Sequence, residues 1–248
     1  QTDELFQPDL NELLQALTPK TRAVLINSPN NPTGVVYSQN MLSLLGGLIH
    51  EAEDRFGQSI FLISDEPYAK LLYDDGSYPF VYNHHASSIV VTSFSKDLSL
   101  PGERIGYIAV NPVCQEKSEL TDAFIYCTRV LGFVNAPALM QRAIENVLDT
   151  TIDLAGYQQK RDYLYSSLTQ MGYSLVKPQG AFYAFPRSPI PDDINFITEL
   201  LEERILVAPG TGFGRPGHFR ISYSVSDEVL VGAMEGFSRV AKNHGLPG

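Results

Sequence analysis

Apolar residues in this chain follow two spacings. Leu10, Leu13, Leu14 and Leu17 recur at helical intervals behind Asp9, which predicts a helix over residues 8–17, stopped by Thr18-Pro19-Lys20. Residues 23–26, 59–63, 88–91 and 105–110 are short continuous apolar runs, and each predicts a buried strand. Between the first two, Ser38 opens a second helical pattern that puts Leu42, Leu45, Leu48, Ile49 and Ala52 on one face. Gly46-Gly47 interrupts that pattern and Gly57 supplies a stop. Residues 114–128 read as a helix, and 137–168 as a long helical region broken or bent near Gly156. Beyond it, residues 173–176 and 180–185 read as strands joined by Lys177-Pro178-Gln179. A short helix over 195–203, an apolar run over 205–208, a strand entered by Arg220 and a closing helix over 227–240 complete the pattern.

Short buried strands alternating with helices predict an α/β domain with a mainly parallel sheet, and the last third predicts α+β. We place the boundary inside the long helical region, giving a domain over residues 1–148 and a second over 149–248.

Composition narrows the function classes. The chain has 248 residues, 44% of them hydrophobic, so a sizeable core forms and disorder is not expected. A net charge of -10 argues against nucleic acid and anionic membranes as partners. The two cysteines, Cys114 and Cys127, lack metal-ligand spacing, which fits a reducing, cytoplasmic setting. The first residues are polar and acidic, unlike a signal peptide, and no apolar run approaches a membrane span. His84-His85 reads as a solvated turn with no assigned role, and Arg129 as a surface residue.

Candidate chemistry sits where the strand runs end. The run over 88–91 passes into Thr92-Ser93-Phe94-Ser95-Lys96, and Arg104 follows eight residues after the lysine. A lysine and an arginine among hydroxyls at the mouth of a sheet suit an anionic ligand, and the lysine amine is a nucleophile toward carbonyls. The run over 23–26 enters Asn27-Ser28-Pro29-Asn30-Asn31-Pro32-Thr33-Gly34, and the run over 59–63 enters Ser64-Asp65-Glu66-Pro67-Tyr68. In open α/β sheets, ligands bind at these carboxyl ends.

The order of these segments resembles the class I/II (fold type I) pyridoxal-phosphate-dependent aminotransferases over nearly the whole chain. The resemblance rests on Asn31-Pro32-Thr33-Gly34, on Asp65-Glu66-Pro67-Tyr68, and on Ser93-Phe94-Ser95-Lys96 with Gly102-Glu103-Arg104-Ile105-Gly106. Gly180-Ala181-Phe182-Tyr183 and the segment around Arg220 complete it. Glu103 stands where an aromatic or apolar residue is more usual.

The resemblance implies a cofactor, pyridoxal 5'-phosphate, attached to Lys96, which also serves as general base. It implies that Asp65 pairs with the pyridine nitrogen and that Asn31 and Tyr68 bond the phenolic oxygen. Ser93, Ser95 and Arg104 hold the phosphate, and Arg220 grips the substrate carboxylate beside Asn31. It implies transamination between an L-amino acid and a 2-oxo acid of the aspartate/aromatic type, in a homodimer. It also implies that family members carry an N-terminal portion ahead of Gln1, so that the chain on its own binds cofactor poorly. A lyase or decarboxylase on the same scaffold, and a non-catalytic effector domain of a transcription regulator, are the alternatives.

Overall fold

The computed structural model describes residues 2–248, which divide into two compact units. Among the described residues, unit 1 comprises 2–29, 36–70 and 77–152, and unit 2 comprises 30–35, 71–76 and 153–248.

Unit 1 begins with helix α1 (Leu10–Ala16), whose N-cap Asp9 accepts the N–H groups of Asn11 and Glu12. Strand β1 (Ala23–Asn27) follows, then helix α2 (Gln39–Phe56) and strand β2 (Phe61–Asp65). Strand β3 (Ser88–Ser93) leads directly into the one-turn helix α3 (Phe94–Asp97), and strand β4 (Gly106–Val110) returns. The sheet order is β1-β2-β3-β4, with the first two pairings parallel and the last antiparallel.

One face of α2 closes this sheet. Leu42, Leu45, Ile49 and Ala52 join Ile26, Leu62 and Val90 in a single core, and Leu45, Ile49, Ile60 and Leu62 are fully buried. Ser38 caps α2 by accepting from the Met41 N–H, and Gly57 ends it in the left-handed conformation. Gly46 does not break the helix, because tertiary contact selects it: a Cβ there would lie 2.0 Å from the His84 carbonyl oxygen. Packing overrides the low helix propensity of glycine at that position.

Helices α4 (Lys117–Val130) and α5 (Ala138–Ile144) complete unit 1. The helical region read over 137–168 is broken, as one of its two readings had it, into α5 and α6 (Leu154–Gln170) of unit 2, but the break falls ahead of Gly156. The start of α6 is fixed by Asp153, whose side chain accepts from the Gly156 N–H, so Gly156 lies in a capped first turn and not at a bend. Leu25, Phe133 and Leu139 of unit 1 are 70%, 74% and 79% exposed.

Unit 2 continues with strand β5 (Tyr183–Ala184), helix α7 (Asp193–Glu202), strand β6 (Ala208–Pro209), strand β7 (Phe219–Ser222) and helix α8 (Asp227–Asn243). Its sheet, β5-β7-β6, is antiparallel. Residues 173–176 form no strand, contrary to the sequence reading. Tyr173 instead turns its ring into the core against Phe196, Phe219 and Phe237, and its hydroxyl donates to the Phe237 carbonyl at 3.0 Å. The strand read over 180–185 shortens to the two residues of β5, and the apolar run over 205–208 contributes only Ala208 to β6.

The two histidines are not a solvated turn. His85 is buried with Nε2 2.9 Å from the Ile60 carbonyl oxygen, and His84 Nδ1 lies 2.9 Å from the Ser43 hydroxyl. Adjacent residues on a turn point apart, so each finds its own partner. Among the described residues, no helix is long and apolar enough to cross a membrane.

Candidate active site

Parallel pairing brings the motif ends of unit 1 side by side. Asn27, the last residue of β1, pairs in register with Asp65, the last residue of β2. Asp65 is paired in turn with Val91, two residues before the end of β3 at Ser93. The polar residues that follow each apolar run therefore converge on one edge of the sheet, at the carboxyl ends of its parallel strands.

Asp65 has a partner that the sequence reading missed. The Asn27 side-chain amide donates to the Asp65 carboxylate at 3.0 Å and to its backbone carbonyl at 3.0 Å. Burial pushes the Asp65 carboxyl above its ordinary pKa, and the Asn27 bond only partly offsets this. Asn27 was legible only as the residue ending an apolar run beside the longer Asn-Pro-Thr-Gly signal. Tyr68, three residues beyond Asp65, is buried. The intervening turn is held by the Ala69 N–H on the Glu66 carbonyl at 3.2 Å, and by the Thr92 hydroxyl on the same carbonyl at 3.0 Å.

Ser93, Ser95 and Lys96 sit where β3 becomes α3. The Phe94 N–H donates to the Ile105 carbonyl at 3.1 Å, and the Leu100 N–H to the Phe94 carbonyl at 3.2 Å, so the lysine turn is closed against the Arg104 segment. Arg104 itself has φ +51°, a left-handed conformation that restricts where its side chain starts. Its Nη1 donates to the Pro101 carbonyl at 2.7 Å, and no ion pair joins it to Glu103 among the described residues. The antiparallel register sets Gly106 opposite Ser93, where a Cβ would lie 2.4 Å from the Thr92 carbonyl oxygen. That contact explains the last glycine of the Gly-x-Arg-Ile-Gly pattern.

The residues one step along from the motif positions face elsewhere. Glu66 and Asp97, both buried, line a cavity of about 840 Å³ together with Lys70, Tyr78 and Tyr107, and Lys70 Nζ lies 3.4 Å from the Asp97 carboxylate. Burial raises the pKa of both Glu66 and Asp97.

Unit 2 holds the other two candidates, and it joins them. The Arg220 guanidinium donates through Nη1 to the Asn31 side-chain oxygen at 3.0 Å. Its Cζ lies 4.8 Å from the Tyr183 ring centroid and 4.8 Å from that of Phe213. Its Nε is buried and forms no hydrogen bond among the described residues. The loop that carries Asn31 is built by its neighbours. Asn30 Oδ1 accepts from the Thr33 hydroxyl at 2.8 Å, and the Gly34 carbonyl accepts from the N–H groups of Gln179 at 2.7 Å and Gly180 at 2.9 Å. Arg129 lies in the last turn of α4 and is exposed.

The donor set of unit 1 suits the cofactor implied by the sequence: an amine, a half-buried carboxylate with a raised pKa, two hydroxyls and an arginine stand on adjacent strand ends. A carboxylate in that state gains from a cationic N–H partner such as a protonated pyridine.

The model of the class I and II aminotransferase family matches residues 1–237. The chain belongs to that family. It is 34% identical over 96% of its length to the aspartate/prephenate aminotransferase of Thermus thermophilus, and 35% identical over 93% to the aspartate aminotransferase of Thermotoga maritima. It spans about three fifths of these relatives, 61% and 59% of their lengths. Among solved structures, an aminotransferase from Eubacterium rectale superposes with a TM-score of 0.95 at 41% identity, covering 98% of this chain and 61% of that one. A mutant of the Thermus thermophilus aspartate aminotransferase superposes at 0.81 with 33% identity, covering 96% of this chain and 65% of that one. The fold is thus that of the aminotransferases, with a mostly parallel sheet in the part that carries the lysine.

Proposed function

We propose that this chain carries the lysine, the acid and the carboxylate-binding arginine of a pyridoxal-phosphate-dependent transaminase, which moves the amino group of an L-amino acid to a 2-oxo acid. The observation that carries the reading is the convergence of Asp65, Ser93, Ser95, Lys96 and Arg104 on adjacent strand ends of unit 1. The printed names of the relatives support a donor of the aspartate/aromatic type.

Bound, the cofactor supplies a protonated ring that draws electrons from the carbon being deprotonated. Every other task falls to this chain. Lys96 would hold the cofactor through Nζ and, once released, would take the substrate α-proton at the same atom and pass it on without returning it to the α-carbon, so that the amino group can leave the substrate. Asp65, oriented by Asn27, keeps the ring nitrogen protonated. Asn31 and Tyr68 donate toward the phenolic oxygen. Ser93, Ser95 and Arg104 bind the phosphate, and Arg220 takes the substrate α-carboxylate in a two-pronged bond.

On this reading residues 1–148 form part of the cofactor-binding domain and 149–248 the small domain. A cytoplasmic homodimer is part of the same proposal, and the exposed apolar side chains of unit 1 support an association surface.

An absorbance titration with pyridoxal phosphate tests it. A visible band that borohydride fixes, that Lys96→Ala abolishes and that Asp65→Ala weakens is the expected result. An undiminished band in Lys96→Ala overturns the assignment of the lysine.

A further inference from the structure

We propose that Phe213 and Asp193 are positioning residues for Arg220, and that the loop which carries Phe213 and is held by Asp193 sets the affinity of unit 2 for a carboxylate. The inference rests on the reading of Arg220 given above. Phe213 lies in the one-turn segment Gly210–Phe213, which begins a loop reaching Gly217. Its ring is one of the two against which the Arg220 guanidinium rests, each at 4.8 Å. Tyr183, the other, is fixed in strand β5. Phe213 is held by a loop, so whatever fixes the loop fixes that contact.

Asp193 does the fixing. It stands at the first turn of α7 and is 2% exposed. Its carboxylate accepts the Thr211 N–H at 2.8 Å, the Thr211 hydroxyl at 2.8 Å and the Gly217 N–H at 3.2 Å, so one side chain gathers both ends of the loop. The Gly210 N–H on the His218 carbonyl at 2.7 Å and the Arg215 N–H on the Gly210 carbonyl at 3.0 Å close the loop on itself. Phe213 also meets Phe185 edge to face at 6.1 Å, which sets the angle of its ring.

The consequence for Arg220 is orientational. Asn31 takes one N–H of the guanidinium, and two rings occupy positions where solvent would otherwise compete for the cation. The buried Nε has no protein acceptor among the described residues. An arginine so held loses less rotamer freedom when it forks onto a carboxylate. The ligand class is therefore a small organic carboxylate.

The test titrates the whole chain with succinate, a dicarboxylate that cannot react, following the arginine Nε–Hε signals by NMR. Arg220→Lys identifies the Arg220 signal and serves as control. Phe213→Leu is expected to weaken succinate binding about three- to tenfold, and Phe213→Tyr to restore it. Asp193→Asn is expected to weaken it about threefold and to speed amide hydrogen exchange at Thr211 and Gly217, which Phe213→Leu leaves unchanged. If Arg220→Lys abolishes binding while Phe213→Leu and Asp193→Asn bind as the parent does, the positioning role is wrong and the reading of Arg220 stands. If the parent chain's Arg220 signal ignores succinate, the reading falls and takes this inference with it.

Discussion

Asp74 holds the guanidinium of Arg161 by two parallel hydrogen bonds, 3.0 Å to Nη1 and 2.8 Å to Nη2. Arg161 is almost fully buried; its Nη1 also donates to the Pro178 carbonyl at 2.7 Å, and its Cζ lies 4.8 Å from the Tyr73 ring centroid. The Arg161 bonds hold the Asp74 carboxyl below the usual carboxylate range. A segment of six residues, 71–76, is thereby fastened to α6 within unit 2.

Asp74→Asn keeps the shape and removes the charge from this pair. The Asp74 carboxylate is about half exposed, which limits what it contributes. The Arg161 cation is left buried with a carbonyl and with Asp162, which raises the cost. Urea unfolding is expected to show a loss of about 1–2 kcal/mol for Asp74→Asn.

Gly106→Ala probes the turn that carries Lys96. The new methyl would meet the Thr92 carbonyl oxygen at 2.4 Å and the Ser93 Cα at 2.9 Å, so β3 and β4 must part. A stability loss of about 1–3 kcal/mol is expected from overpacking of this kind. The borohydride-fixable band should fall with it, because Ser93 adjoins the lysine turn; a band of parental strength would show that the turn tolerates the shift.

Asn27→Ala isolates the partner of Asp65. Its loss is expected to cost about 1 kcal/mol. The Asn27 bond works against the upward push of burial on the Asp65 carboxyl, so the variant should titrate at higher pH than the parent. Carbon-13 NMR of the labelled carboxyl measures this directly, and an unchanged midpoint would show that the bond does not tune the acid.

Acid sensitivity should trace to Asp193. Burial acts to raise its pKa, but the Thr211 N–H and hydroxyl and the Gly217 N–H outweigh it and hold the carboxyl low. A folded-state pKa below the unfolded value of about 3.9 gives stability that is present above that pH and lost as pH falls through the folded pKa. Asp193→Asn should therefore melt below the parent at pH 7, with the gap narrowing below about pH 4. Asp65, Glu66 and Asp97 run the other way: their raised pKa values favour the fold when they are protonated and subtract stability as pH rises through the shifted range. A gap that stays constant from pH 7 to pH 3 would refute the assignment to Asp193.

What the chain states locally it states clearly. Apolar runs ending in polar turns marked β1, β2 and β3, with Asp65 closing β2 and Lys96 in the turn just past β3, because apolar runs and turn chemistry are read over a few neighbouring residues; the burial expected of those runs fails in β1, where Leu25 is 70% exposed. Ser38 and Gly57 bounded α2 for the same reason. Tertiary structure decided what depends on residues distant in sequence. Residues 173–176 look like a strand by composition but have no ladder partner, and Tyr173 serves the aromatic core instead. Gly46 belongs in a helix only because His84 passes close by. Asn27 orients Asp65 across 38 residues of chain, and Arg220 meets Asn31 across 189. Residues 30–35 and 71–76 join unit 2 through bonds to Gln179, Gly180 and Ala181 that no local pattern announces. Hydrogen bonds and packing act through space, so only the folded chain shows which side chains they bring into reach.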